Sequence, residues 1–208
     1  MSAGSSLPLA PDGEPRLRIG VLASQGDFAA HGSVLESLGA TAVAVRTAEG
    51  LSELDGLVIP GGESTAITKA IDRDRLAGPI RSHVESGRPV LGTCAGMIVC
   101  DRHHLGVVDV SARRNAFGRQ IASFETELEM GPLGPEPIRA VFIRAPWIEE
   151  HGPGVEVLAR IDDHPVAVRE GQVLLCAFHP ELTDDSRVHA LLMAMATTAR
   201  AQQEARST

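Results

Sequence analysis

The chain has 208 residues, 43% of them hydrophobic, which suits one domain with a substantial core. Its net charge of −8 argues against nucleic acid or an anionic membrane as the main partner, and an aromatic content of 3% argues against a base-stacking platform. No apolar run approaches the roughly 18 residues of a membrane span, and the three cysteines, Cys94, Cys100 and Cys176, form neither a disulfide framework nor the C-x-x-C spacing of a zinc site. That cysteine usage suits a reducing cytoplasm.

Residues 1–16 are rich in Ser, Pro and Gly and have no basic start or apolar stretch. They read as a disordered leader and not as a signal peptide. Leu17 to Ala23 is an apolar run expected to form a buried strand, ending at Ser24-Gln25-Gly26-Asp27. Asp27 is a plausible N-cap for a helix reaching Leu38, with Phe28, His31, Val34, Leu35 and Leu38 at helical spacing and Gly39 to end it. Thr41 to Arg46 and Leu57 to Ile59 are expected strands, the second broken by Pro60-Gly61-Gly62. Helices are expected from Glu63 to Ile71 and from Asp74 to Ser86, then a strand into Gly92. This β-α alternation predicts a parallel sheet with helices on both faces.

After residue 106 the pattern changes to short strand-like runs separated by Gly, Pro and Asp: Gly106 to Ser111, Ile121 to Met130, Ile138 to Ile143, Val155 to Ile161, Pro165 to Arg169 and Gln172 to Phe178. A helix from Asp184 to Ala201 closes the chain. The expected architecture is a single α/β domain over 17–203, a three-layer sandwich with a mostly parallel central sheet, followed by a short tail at 204–208.

Ligands of open α/β sheets bind beyond the carboxyl ends of the strands. Four loops fall there: Gln25-Gly26, Pro60 to Ser64, Gly92 to Gly96, and His179-Pro180-Glu181. The pattern Gly92-x-Cys94-x-Gly96 is the thiol form of a nucleophile elbow, in which the glycines admit a sharp strand-to-helix turn. A small buried cysteine beside a tight turn would fit the same six residues. A nucleophile needs a base and the base an orienting group. Among eight histidines, His179 alone ends a buried strand, and Pro180 biases it towards an extended backbone that would turn His179 and Glu181 to one side. His31 reads as a packing or surface residue on a helix, and the other six sit in polar or terminal contexts. The N–H of Ala95 and the Gly61-Gly62 loop are candidate oxyanion donors. Cys, His and Glu together mean acyl transfer through a thioester; amide hydrolase, peptidase and amidotransferase all remain open.

Six segments occur in order: IGVLASQGD (19–27), PGGEST (60–65), GTCAGM (92–97), RNAFGRQ (114–120), FIRAP (142–146) and FHPELT (178–183). Together they resemble class I (triad) glutamine amidotransferases, whose fold is flavodoxin-like, and more closely the glutaminase subunits of pyridoxal 5′-phosphate synthases. The resemblance runs from about Arg18 into the C-terminal helix. It implies that Cys94 attacks the carboxamide of L-glutamine, that His179 moves the protons and that Glu181 orients it. It implies substrate contacts at Gly62, Glu63, Ser64, Arg114, Ile143 and Arg144, and places Gln25 near the oxyanion hole. It implies no cofactor and no metal. It also implies a partner, a separate (β/α)₈ barrel subunit that joins the ammonia to ribose 5-phosphate and glyceraldehyde 3-phosphate in a cytoplasmic hetero-oligomer. Two other readings remain beside it: a non-catalytic regulatory module that keeps the elbow, and a peptidase or small-molecule hydrolase. One departure from the family pattern is the short interval between Met97 and Leu105, so either the helix after the elbow is brief or the loop that follows it is nearly absent.

Overall fold

The computed structural model describes residues 16–23, 28–118 and 123–207. The first half alternates as expected: β1 (Arg18–Leu22), α1 (Phe28–Ser37), β2 (Thr41–Val45), β3 (Gly56–Ile59), α2 (Ser64–Arg73), α3 (Ala77–Glu85), β4 (Val90–Thr93) and α4 (Ala95–Cys100). The second half runs β5 (Val110–Arg113), β6 (Ser123–Leu128), β7 (Ile138–Ile143), β8 (Trp147–His151), β9 (Glu156–Ile161), β10 (His164–Glu170), β11 (Val173–Cys176) and α5 (Arg187–Ser207).

Among the described residues the main sheet has seven strands in the order β2-β1-β3-β4-β11-β10-β9. The pairs from β2 to β11 are parallel, and β10 and β9 are antiparallel. The central strands are apolar on both faces because helices cover both: Ile19, Leu57, Val58, Ile59, Val90, Leu91, Leu174 and Leu175 are all fully enclosed. Strand β11 is far along the chain, yet it lies beside β4. That insertion brings the loop after β11 next to the loop after β4, which is how His179 comes to Cys94. Two smaller antiparallel pairs, β5 with β8 and β6 with β7, stand apart from the main sheet.

Several expectations need correction. Asp74 does not start a helix but caps the end of α2, and Arg75 at φ 56° breaks the chain direction before α3. The strand expected over 106–111 begins only at Val110, since residues 101–109 form turns. Trp147–His151 is a strand that its sequence hides: Ile148 is buried but Glu149, Glu150 and His151 are exposed in succession, so no alternation marks it. Helix α5 runs through Ser207 and so extends past the Ala201 end expected for it. The expected leader and the segment Ser24–Asp27 lie outside the described residues, apart from Arg16, and so does the start of the strand expected from Ile121. Among the described residues no helix is long and apolar enough to cross a membrane.

The scarce aromatics are not scattered. Phe117, Phe124, Phe142 and Trp147 pack edge-to-face or stacked, with ring centroids 4.7–5.6 Å apart, and Phe142 meets Phe178 at 5.7 Å. Phe142 directly precedes Ile143-Arg144 and Phe178 directly precedes His179. The cluster therefore fixes the backbone from which both segments emerge.

Candidate active site

Cys94 sits between β4 and α4 with φ 47° and ψ −108°, a backbone region that L-residues rarely occupy. The flanking glycines make the turn possible. A Cβ on Gly92 would lie 2.9 Å from the Gly96 carbonyl oxygen, and a Cβ on Gly96 would lie 2.0 Å from the carbonyl oxygen of Ile59. Helix α4 is brief and buried throughout. Its end is held by the buried Asp101 carboxylate, which accepts from the His103 N–H at 2.8 Å, pairs with His104 Nδ1 at 2.7 Å and accepts from the Ala112 N–H at 3.3 Å. The short interval after the elbow is thus closed by a polar staple and not left as a loose loop.

His179 and Glu181 come together, though not through the extended segment expected of them. Pro180–Leu182 is a single 3₁₀ turn, and within it the His179 Nδ1 lies 2.8 Å from Glu181 Oε1. With Nδ1 so engaged, Nε2 is the nitrogen left for Cys94, which lines the same cavity as His179. Burial of the imidazole opposes its charged form, but the hydrogen bonds and charges of Cys94 and Glu181 outweigh it and raise the pKa from 6.5 to about 10. Glu181 is likewise buried, which favours protonation, yet its hydrogen bond to His179, with His31 close by, holds its carboxyl below the usual range. The Cys94 Sγ also lies 3.7 Å from the carbonyl oxygen of Ile143.

The two other thiols are of a different kind. Cys100 and Cys176 are fully buried, and burial, aided by the charges of Asp101 and Glu181 respectively, pushes both thiols far up.

A cavity of about 300 Å³ opens over Cys94 and His179. Of the residues expected to touch substrate, Gly62, Glu63, Ser64, Arg114, Ile143 and Arg144 all line it, as does Ala95. Ile98, Asn115 and Pro146 line it too; Asn115 and Pro146 belong to the RNAFGRQ and FIRAP segments but were not among the expected contacts, and Ile98 lies just past GTCAGM. Glu63 caps α2, accepting from the N–H of Thr65 at 3.0 Å and of Ala66 at 2.7 Å. Its carboxylate also meets Arg114 Nη2 at 2.9 Å, and the Thr65 bond leads the causes that hold its pKa down. Arg114 is therefore already committed to an anion of the protein. Arg144, at φ 43°, makes no ion pair among the described residues.

The expected oxyanion donors divide. Ala95 opens α4, so its N–H has no carbonyl one turn back to reach. The Gly61 N–H instead donates to Thr93 Oγ1 at 3.1 Å. What Gly61 supplies is space, because a Cβ there would lie 2.6 Å from His179 Cε1. Gln25 lies outside the described residues. Sequence reasoning missed His31: it is fully buried behind Glu181, with its Nε2 3.3 Å from Glu181 Oε2 and 3.2 Å from Thr93 Oγ1.

Residues 21–198 match the SNO glutamine amidotransferase family. The chain is 48% identical over 207 residues to pyridoxal 5′-phosphate synthase subunit PdxT of Nocardia farcinica, covering 93% of this chain and 91% of that protein. It is 49% identical to the PdxT subunit of Dehalococcoides mccartyi, covering 89% of this chain and all of that protein. A solved structure described as a glutamine amidotransferase superposes with a TM-score of 0.82 at 45% identity, over 86% of this chain and 98% of its own. A putative GMP synthase component from Thermoplasma acidophilum, at 20% identity and a TM-score of 0.69 over 91% of this chain and 98% of its own, shares the fold.

Proposed function

The chain belongs to the SNO glutamine amidotransferase family, and on that premise we propose that it is the glutaminase subunit of a pyridoxal 5′-phosphate synthase, releasing ammonia from L-glutamine through a thioester on Cys94. The observation that carries this reading is the line Cys94–His179–Glu181 at the floor of the cavity, with the thiol on a strained elbow.

The chemistry follows from the geometry. His179 takes the thiol proton on Nε2, giving an imidazolium with Cys94 as its anionic neighbour. The raised pKa of His179 reflects that pairing. The thiolate sulfur attacks the carboxamide carbon, and its oxygen becomes an oxyanion beside the N–H of Ala95 and the backbone of Gly62, which at φ 140° lines the cavity next to the committed Gly61. The imidazolium gives its proton to the leaving nitrogen, and ammonia departs. A water, deprotonated by the same imidazole, then attacks the thioester carbonyl, and the sulfur leaves as glutamate is released. Glu181 keeps Nε2 facing the sulfur throughout by holding Nδ1.

At the rim, the substrate's α-carboxylate needs a cation. Of the two arginines that line the cavity, Arg144 makes no ion pair among the described residues, so it takes the carboxylate, while Arg114 and Glu63 shape the adjoining wall. A rim of this charge fits a free amino acid better than a peptide, which favours glutaminase over peptidase. The ammonia passes to a separate synthase subunit, the barrel that condenses it with ribose 5-phosphate and glyceraldehyde 3-phosphate in the cytoplasm.

A glutamine-mimicking electrophile tests the reading. Mass spectrometry should find Cys94 modified and Cys100 and Cys176 untouched, because only the first combines a basic partner with an opening to solvent. Equal labelling of all three thiols would count against an activated nucleophile.

A further inference from the structure

Glu181 uses one carboxylate oxygen on His179. The other, Oε2, is buried without a hydrogen bond of good geometry, and the group that faces it is His31 Nε2 at 3.3 Å. A carboxylate oxygen enclosed in protein needs a donor or a positive charge nearby. His31 is itself enclosed, and its Nδ1 lies 2.8 Å from Nε2 of His189 on α5, 158 residues away. We propose that His31 is a positioning residue of this site: its Nε2 holds the far oxygen of Glu181, and His189 fixes the tautomer in which it does so. The proposal rests on the triad reading given above.

The tautomers follow from the contacts. A bare lone pair on His31 Nε2 would face the carboxylate and repel it, so that nitrogen carries the hydrogen. The 2.8 Å contact then lets Nδ1 accept from the Nε2–H of His189. His189 is left with a bare Nδ1, and that atom is buried with no partner. An acceptor left unpaired is the less costly choice, since an orphaned buried N–H is the rarer feature of folded proteins. Burial lowers the pKa of His189 to about 3, so it stays neutral in this role. Thr93 Oγ1 braces the arrangement from the elbow side: it accepts the Gly61 N–H and touches His31 Nε2 at 3.2 Å. Helix α1, the elbow, the turn after β11 and helix α5 thereby meet at one carboxylate.

Two substitutions separate positioning from simple packing. In His31→Asn the amide stands near Nδ1, keeping the contact with His189 and vacating the one with Glu181. In His31→Gln the amide nitrogen stands near Nε2 and still reaches the carboxylate. Glutamine hydrolysis is measured with the synthase subunit present. His31→Asn should lower kcat about 10–100-fold, the usual cost of losing an outer partner of a working histidine. KM for glutamine should change little. The pH dependence of Cys94 alkylation should also move, and His31→Gln should recover most of the rate. The titratable groups facing the His31–Glu181 pair are His189 from α5, His179 from the turn and Cys176 from β11, so the profile is read as a difference from wild type. Histidine ¹⁵N shifts of the unsubstituted protein give a readout that needs no variant to fold: a protonated Nε2 on His31 and a bare Nδ1 on His189 are expected. The proposal is overturned by a bare His31 Nε2, by wild-type kcat and pH profile in His31→Asn, or by equal losses in both variants with the profile unmoved. Cys94→Ala in the same assay keeps the two readings apart. Turnover without the thiol sinks the triad itself, whereas a dead Cys94→Ala beside a normal His31→Asn sinks only the role of His31.

Discussion

Two carboxylates serve the cavity, Glu63 on its wall and Glu181 behind His179, each beside a cationic partner in different surroundings. The Glu181 and His179 side chains are 0% and 8% exposed, while Glu63 and Arg114 are 53% and 49% exposed. In water a pair such as Glu63–Arg114 is screened and contributes little. Enclosed by protein, Glu181 acts on His179 at full strength and must itself be held, or the cost of its burial would push it to the neutral acid. The same chemical motif is thus a helix cap and wall on one side, and machinery on the other.

Glu181→Gln should show the larger effect. It keeps the shape but loses the negative charge, and its amide N–H₂ can face Nδ1 and hold the wrong imidazole tautomer, so kcat should fall by about 10³–10⁴-fold, as when a triad carboxylate becomes an amide. The same variant sharpens the electrostatic side. His179 binds its proton more tightly folded, at about pH 10, than at its ordinary 6.5. The stabilisation it gives is complete below pH 6.5 and is lost as pH rises through the folded value. Wild type should therefore lose melting temperature between pH 7 and 10 more steeply than Glu181→Gln, as a thermal scan across that range would reveal.

Arg144→Ala should come next, raising KM for glutamine by about 10–100-fold through loss of a charge-assisted contact, with kcat little changed. A loss in kcat with unchanged KM would move the α-carboxylate elsewhere. Glu63→Gln should be smallest. An amide oxygen still caps α2, so the melting temperature should shift by less than about 4 °C, and the shift should shrink further in high salt. A large, salt-insensitive loss would erase the contrast between the two pairs.

What the sequence made legible was whatever local sterics demand. Gly92 and Gly96 had to be glycine for the elbow to form, and Gly61 for His179 to fit, so these positions stand out without coordinates. His179 and Glu181 were legible as a pair because they are two residues apart, although the 3₁₀ turn that joins them is not the extended segment their Pro suggested. His31 and His189 were not. Each occupies an ordinary inward position on a helix, and nothing in its own helix says that Glu181 waits on the other side. Strand β8 was hidden by its run of exposed polar residues, and the aromatic cluster by the distance along the chain between its members. The covered half-sheet, where each strand is apolar throughout, was the easiest part to read.

The most direct measurement of the central claim is ammonia release from L-glutamine by this chain with its synthase partner, beside Cys94→Ala under the same conditions. Steady release by wild type and a fall of about 10³-fold or more in the variant is the expected result. Equal release by both, or none by wild type with the partner bound, would contradict the assignment of Cys94 as the nucleophile.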